Sequence, residues 1–420
     1  MKREILSNGM KILYNQMTNT HSVTIGLYVK AGSAYEESRQ NGITHLLEHL
    51  HFRRLGELSQ NELYYRMESI GSTLRASTYR DFLKFSMKIA PEYIPDCIYI
   101  FKKLICTDKW DIDSLEKEKE VVINQINEKN EYVSIESLVR KTVFAGSALS
   151  NDIMGSEESV KHLTSVEITE YKKKIFNKNN MIFCVTGNFN ETDKNLIQDE
   201  LGGLNIPDGR EITGIVLPSK FKKRGPTVVF KSHPSKLLDV NLSFDITYNE
   251  DDFTEINLLN CIIGEGVGSR LQTRIREELL YTSDILSYLE IYSKFCVLNI
   301  EFSIRSDLLN DCLTDIVDIL NLIKRNITKR DLDVSLPFYT TNSVFNEDDT
   351  EQMNFILAYY SFILGINYYE LHSDSIKETI DDLHSIAREV FIPGNACIAV
   401  MGETDRISKN MIKKILLKLD

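Results

Sequence analysis

A repeat constrains this chain more than any other feature. Phe176, Asn180 and Gly187 are spaced F-x3-N-x6-G, and Phe391, Asn395 and Gly402 reproduce that spacing 215 residues later. Each copy runs into a short apolar strand, 181–185 (MIFCV) and 396–400 (ACIAV). Each is preceded by an amphipathic helical pattern, with Ile168, Tyr171 and Ile175 matched by Leu383, Ile386 and Val390. A helix, a turn and a strand repeated in register are explained by two similar domains.

Each half also opens with strands. Residues 23–30 (VTIGLYVK) and 238–247 (LDVNLSFDIT) alternate apolar and polar side chains, which predicts sheets with one buried face. Periodicity predicts helices near 40–56, 60–70, 91–106 and 113–130, then near 252–263, 269–279, 307–325 and 351–364. The expected class is α+β: two similar domains, each a mostly antiparallel sheet with helices packed on one face. Gly202, Gly203, Pro207, Gly209, Pro218, Gly225 and Pro226 collect between the halves. The expected division is therefore 1–203, a linker over 204–225, and 226–420.

A chain of 420 residues has room for two or three domains at ~100–200 residues each. Forty-nine basic residues against 61 acidic ones leave a net charge of −12, so no electropositive face dominates. That excludes a general nucleic-acid coat or a binder of anionic membranes. No apolar run reaches the ~18 residues of a membrane span. The opening Met1-Lys2-Arg3-Glu4 leads straight into a strand-like stretch, with no apolar signal core ahead of it. Seven cysteines lie far apart with no CxxC pair, the pattern of buried reduced thiols, and a cytoplasmic location is expected.

The chemistry concentrates in His45-Leu46-Leu47-Glu48-His49. Histidines four apart on a helix leave one face about a turn apart, where both imidazoles reach a single ion. Glu48 lies three residues beyond His45, in place to take a proton from a water on that ion. HxxEH is the inverted order of the HExxH zinc motif. A second helix is expected from Asp113, as cap, with Glu116 completing a capping box. Its Leu115, Glu118, Val122 and Gln125 form one stripe, on which a carboxylate and a carboxamide need a polar counterpart.

These motifs resemble the insulinase–pitrilysin metallopeptidases, in which HxxEH is followed by a helix with two acidic residues seven apart. The resemblance runs along nearly the whole chain. It includes residues 6–10 (LSNGM), 31–36 (AGSAYE), 41–45 (NGITH), 67–71 (MESIG), 118–122 (EKEVV) and the glycine-rich 264–278 (GEGVGSRLQTRIREE). By size it is similar to the two-domain branch that includes mitochondrial processing peptidase and bacterial relatives. It implies half of a clam-like peptidase shell.

The resemblance assigns His45 and His49 as zinc ligands, Glu48 as general base and Glu118 as a carboxylate that orients a ligand or assists the base. The third ligand, ordinarily Glu, falls on Gln125. Gln125 is then a weak ligand, a substitution that disarms the site, or a residue replaced by Glu128 one turn on. Residues 72–79 (STLRASTY) take the place of the edge strand that pairs with the peptide, so Arg75, Ala76 and Ser77 would bind substrate. Arg75 stands where the family has Asn. The family also uses an Arg and a Tyr seven apart, from the opposite half of the complex. Arg276 matches the Arg, Ser283 stands at the Tyr position, and Tyr281 comes two residues early.

The resemblance thus implies a zinc-dependent endopeptidase that cleaves unstructured peptides in an enclosed chamber, by analogy in peptide processing or leader removal. Its alternative is a catalytically weakened or inactive peptide-binding or scaffold subunit. The blurred Arg–Tyr motif points to a heterodimer whose homologous partner supplies that pair, with a homodimer as the other arrangement. No nucleic acid or membrane partner is expected. His51 reads as structural, and Lys172-Lys173-Lys174 as a solvated helix face.

Overall fold

The computed structural model describes residues 1–131, 134–213, 215, 225–249, 252–371 and 380–419. Of the expected linker, 214 and 216–224 lie outside the described residues. The strands are β1 (Lys2–Ile5), β2 (Lys11–Gln16), β3 (Val23–Val29), β4 (Arg54–Leu55), β5 (Leu58–Ser59), β6 (Arg75–Thr78), β7 (Leu83–Ile89), β8 (Met181–Gly187), β9 (Thr227–Ser232), β10 (Leu238–Thr247), β11 (Ile285–Tyr292), β12 (Phe295–Ile304) and β13 (Ala396–Gly402). The helices are α1 (Ile43–Arg53), α2 (Gln60–Ser69), α3 (Ile94–Cys106), α4 (Ile112–Glu131), α5 (Ile135–Val143), α6 (Glu157–His162), α7 (Ser165–Ile175), α8 (Glu191–Gly202), α9 (Phe253–Asn260), α10 (Leu309–Ile323), α11 (Lys329–Asn346), α12 (Thr350–Ala358), α13 (Tyr368–Leu371), α14 (Ile380–Val390) and α15 (Lys409–Leu416).

The two sheets share one plan. The first has the order β1-β2-β8-β3-β7-β6 and the second β11-β12-β10-β13-β9. Read from opposite ends, β2-β8-β3-β7-β6 corresponds to β9-β13-β10-β12-β11. Each has a single parallel pair, β2 with β8 and β13 with β9; the other pairings are antiparallel.

The sequence repeat has a physical basis. Asn180 donates from Nδ2 to the carbonyls of Lys30 (2.8 Å) and Ile175 (2.9 Å). Asn395 does the same to Asp245 (2.7 Å) and Val390 (2.9 Å). In both copies the amide ties the end of a helix to the end of the central strand, and Phe176 and Phe391 are buried beside it. Gly187 and Gly402 sit at φ 124° and 139°. A Cβ on Gly187 would lie 2.2 Å from the Ser22 carbonyl oxygen, so only glycine ends that strand without displacing its neighbour.

Packing divides the chain into Met1–Tyr132 with Ser147–Leu217 and Phe345–Tyr368, and Val133–Gly146 with Pro218–Val344 and Tyr369–Asp420. Relative to the contiguous division expected above, α12 joins the first unit and α5 the second. Alternation along β3 shows how α12 is used. Val23, Ile25, Leu27 and Val29 face the helical core that α1, α3 and α7 help to build. The other face carries Thr24, Gly26 and Tyr28, and α12 covers it. Asn354 donates from Nδ2 to the carbonyls of Thr24 (3.0 Å) and Cys184 (2.8 Å) and accepts from the Tyr28 hydroxyl (2.9 Å). A Cβ on Gly26 would lie 2.3 Å from Asn354 Oδ1, so the glycine makes room for this contact. The helical layer expected on one face is there, and α12 adds cover to the opposite one. In the second unit, Ile135 and Val139 of α5 pack on Ala399 and Met401 of β13.

Three local expectations change. Helix α4 is capped by Asp111, which accepts from the Ser114 amide (2.8 Å), two residues before the expected Asp113. Overlapping 252–263, 269–279 and 351–364, the segments Cys261–Glu265, Gln272–Glu278 and Tyr359–Leu364 are wound as wider π-helix. Lys173 and Lys174 are exposed, but Lys172 is buried. Its ammonium donates to the Leu104 (2.8 Å) and Thr107 carbonyls at the end of α3, and lies over the Phe176 ring. Those carbonyls lack helical partners and take the amine's hydrogen bonds, while burial pulls its pKa down to about 7. Among the described residues no helix is long and apolar enough to cross a membrane.

Candidate metal centre

Helix α1 begins where Gly42 adopts φ 95°. The buried Glu36 carboxylate closes its first turn, accepting from the amides of Gly42 (2.7 Å) and Thr44 (3.0 Å) and from the Thr44 hydroxyl (2.6 Å). Burial pushes the Glu36 carboxyl upward, against those hydrogen bonds. The far side of α1 is locked by His51, buried among Phe85, Trp110 and Phe176, with Nδ1 bonded to the Leu47 carbonyl at 2.7 Å. Burial holds its pKa well below the ordinary imidazole value. This histidine is structural.

The opposite stripe of α1 carries His45 and His49, whose ring centroids lie 4.7 Å apart. Helix α4 packs against it with Leu115, Glu118 and Val122 buried and Gln125 half-buried. Nε2 of His45 lies 3.2 Å from Oε1 of Gln125. Nδ1 of His49 lies 3.0 Å from Oε2 of Glu118. The other Glu118 oxygen accepts from Arg53 Nε at 2.6 Å, and Arg53 also donates to Gln60. Burial alone would raise the Glu118 carboxyl; the hydrogen bonds from His49 and Arg53 outweigh it and keep the group below the usual range, ionised. Glu128 is exposed, so Gln125 is the α4 residue that meets His45.

Glu48 lies on the same helix, its Oε2 3.9 Å from His45 Nδ1. That oxygen accepts from the Thr78 hydroxyl on β6. Burial raises its pKa, opposed by the Thr78 hydrogen bonds and the nearby His49. A carboxylate lifted toward neutrality is a better proton acceptor at working pH than an ordinary one.

These donors fit a zinc ion. Two ligands about 2.0–2.1 Å from a tetrahedral zinc are about 3.3 Å apart, close to the Nε2–Oε1 separation of 3.2 Å. Nδ1 of His49 is taken by Glu118, which leaves Nε2 for a metal and fixes the ring, as such carboxylates do in zinc sites. Among the described residues no group of three His, Cys, Asp or Glu is placed to hold a metal. The third donor near the two histidines is a neutral amide.

The other expected residues fall in two places. Arg75, Ala76 and Ser77 form β6, the edge strand of the first sheet. Ala76 packs against the helical core, and Arg75 Nη1 donates to both oxygens of Glu351 on α12 (3.1 and 2.9 Å). Arg276 and Tyr281 lie in the second unit and are not brought together among the described contacts. Arg276 Nε donates to the Ser283 carbonyl (2.8 Å), and the Tyr281 hydroxyl donates to Asp315 (3.3 Å). Arg274 pairs with Glu278 at 2.7 Å and approaches Asp315, the carboxylate that Tyr281 meets, at 3.8 Å; Arg274 and Tyr281 are seven apart in sequence.

Two contributors escape a motif-based reading. Arg53 continues the 45–49 stripe by one turn, a spacing that signals it. Thr78 gives no local signal, because its contact with Glu48 depends on where β6 pairs.

An inverted His-x-x-Glu-His helix is thus crossed by a second helix with a carboxylate on His49 and set beside a sheet edge. The profile described as Insulinase (Peptidase family M16) matches residues 11–157, and that of the Peptidase M16 inactive domain matches 162–336. The chain belongs to the insulinase family, M16. It is 22% identical to the uncharacterized zinc protease YmxG of Bacillus subtilis over 339 residues, 80% of this chain and 81% of that protein. It is also 22% identical to the mitochondrial-processing peptidase subunit beta of Caenorhabditis elegans, over 95% of this chain and 89% of that one. The crystal structure of a protease from Helicobacter pylori superposes with a TM-score of 0.85 at 20% identity, covering 96% and 99% of the two chains. That likeness establishes the fold.

Proposed function

We propose that this chain is a zinc-dependent endopeptidase that cleaves unstructured peptides laid along β6. The observation that carries the reading is convergence: two imidazoles, one amide oxygen and a base, Glu48, which is itself hydrogen-bonded to the edge strand. Zinc held by His45, His49 and Gln125 would supply Lewis acidity to a water and to the scissile carbonyl. Glu48 takes the proton of the attacking water and returns it to the leaving amine. Thr78 holds the Glu48 carboxylate toward the edge. Glu118, fixed by Arg53, keeps His49 in one tautomer. A peptide adding to β6 is held through its backbone, which admits extended chains and not folded proteins.

Gln125 favours a second reading, a weakened or inactive peptide-binding subunit, because an amide gives the ion no negative charge. Retention of both histidines and of Glu48 with its hydrogen bond supports the active one. Zinc stoichiometry together with cleavage of a quenched peptide by the purified chain separates them. One zinc per chain with turnover supports the enzyme; peptide binding without turnover supports the scaffold.

The chain is proposed to work as one of a pair of subunits of this fold, in line with a relative named as a subunit. The seven-residue Arg274–Tyr281 spacing supports pairing between two copies of this chain, each offering its own Arg and Tyr. Among the described residues no cysteine is in a disulfide and all of the seven but Cys106 are buried, which supports a reducing, cytoplasmic compartment.

A further inference from the structure

The edge strand has two faces, and only one of them looks toward the metal centre. Ala76 and Thr78 point toward α1, where Thr78 meets Glu48. Arg75 and Ser77 alternate with them and point toward α12. Their cross-strand neighbours on β7 are Ser86 and Lys84. A peptide that extends this sheet as one more strand therefore presents every second side chain to the α12 face, beside Arg75.

The state of Arg75 on that face is specific. Glu351 grips it through a single nitrogen, Nη1, which donates to both carboxylate oxygens. Nε and Nη2 make no hydrogen bond or ion pair among the described residues, and the side chain is 66% exposed. The guanidinium is thus oriented through one corner, while its Nε–Nη2 edge stays open. That edge is the one that takes a carboxylate with two parallel hydrogen bonds. Lys84 lies on the same face, its ammonium over the Phe355 ring, and adds positive charge nearby. Lys88, further along β7, is paired with Asp349.

We propose that Arg75 is a specificity residue that selects an acidic side chain, Asp or Glu, at a position of the peptide facing α12. Glu351 acts as its positioning residue. The proposal rests on the strand-addition reading of substrate binding above, and names the substrate class for that site.

The test is a set of quenched peptides of one parent sequence, each with a single Glu, Gln or Lys scanned along the chain. Wild type is expected to favour Glu at one alternate position by about tenfold or more in kcat/KM. Arg75→Ala is expected to flatten that preference, and Arg75→Glu to turn it toward Lys. The same peptides are titrated onto the Glu48→Gln variant by fluorescence anisotropy, which reads binding without turnover. Acid preference in binding with no turnover in any protein would overturn the peptidase reading and leave this inference standing. Turnover without charge preference overturns the inference alone, and neither turnover nor preference overturns both. Arg75 is exposed on an edge strand, so circular dichroism of each variant is expected to match wild type.

Discussion

Oε1 of Gln125 lies 3.2 Å from Nε2 of His45, a separation that suits either a hydrogen bond or two ligands of one zinc. A carboxylate there would hold the ion by charge as well as by its lone pair. Gln125→Glu is therefore expected to bind zinc at least about tenfold more tightly, or 1.4 kcal/mol. Competition with a chromogenic chelator measures this, and wild type is expected to release zinc at the lower chelator concentration. Peptide cleavage that begins only in Gln125→Glu would favour the scaffold reading.

Glu118 holds His49 and is held by Arg53. Removing such a ligand-orienting group typically weakens metal binding about 10–100-fold. Glu118→Ala is expected to lose zinc affinity in that range. Arg53→Ala is expected to show a smaller loss in the same direction, since it acts through Glu118. Zinc affinity by competition titration checks both.

If two copies of this chain pair, Arg274 and Tyr281 supply the donors that the family takes from the opposite half. Arg274→Ala or Tyr281→Phe is then expected to lower kcat on the order of a hundredfold with zinc affinity unchanged. Arg276→Ala, at a side chain that meets Ser283 and Glu277 rather than Asp315, is expected to stay near wild type. Light scattering of the active protein should give the mass of a dimer of one polypeptide.

The fold was legible where a residue's role is local. The Asn180 and Asn395 amides tie a helix end to a strand end within one repeat, so spacing alone revealed both. HxxEH and the Glu118–Gln125 stripe were legible because a helix converts spacing into a shared face. Roles set by distant partners were not. Nothing in residues 350–358 says that Asn354 will bond carbonyls on β3 and β8. Lys172 looks like its two exposed neighbours until the carbonyl end of α3 is placed above it. The α4 cap lies two residues before the expected Asp113, which falls inside the first helical turn, because Asp111 is the carboxylate that reaches the Ser114 amide.

Asp331 gives a stability prediction. It accepts from Arg270 at 2.9 and 2.7 Å and from the Thr328 amide and hydroxyl at the start of α11. Burial opposes the charged form, but these hydrogen bonds prevail and hold its carboxyl at about 2, below the 3.8 of a free Asp. The unfolded chain therefore binds more protons than the folded one between those values. The contribution is complete above pH 3.8 and is lost as pH falls toward 2. Asp331→Asn is expected to lower stability at neutral pH and to flatten the fall of unfolding free energy in that acid window, as read by denaturant titration at several pH values.

The most direct measurement is turnover of a quenched peptide by zinc-loaded wild type and Glu48→Gln, with bound zinc determined on the same samples. Equal zinc in both, with turnover in wild type and a loss of about 10²–10⁴-fold in Glu48→Gln, is the predicted result. Cleavage at the wild-type rate by Glu48→Gln, or none by wild type with zinc bound, would contradict it.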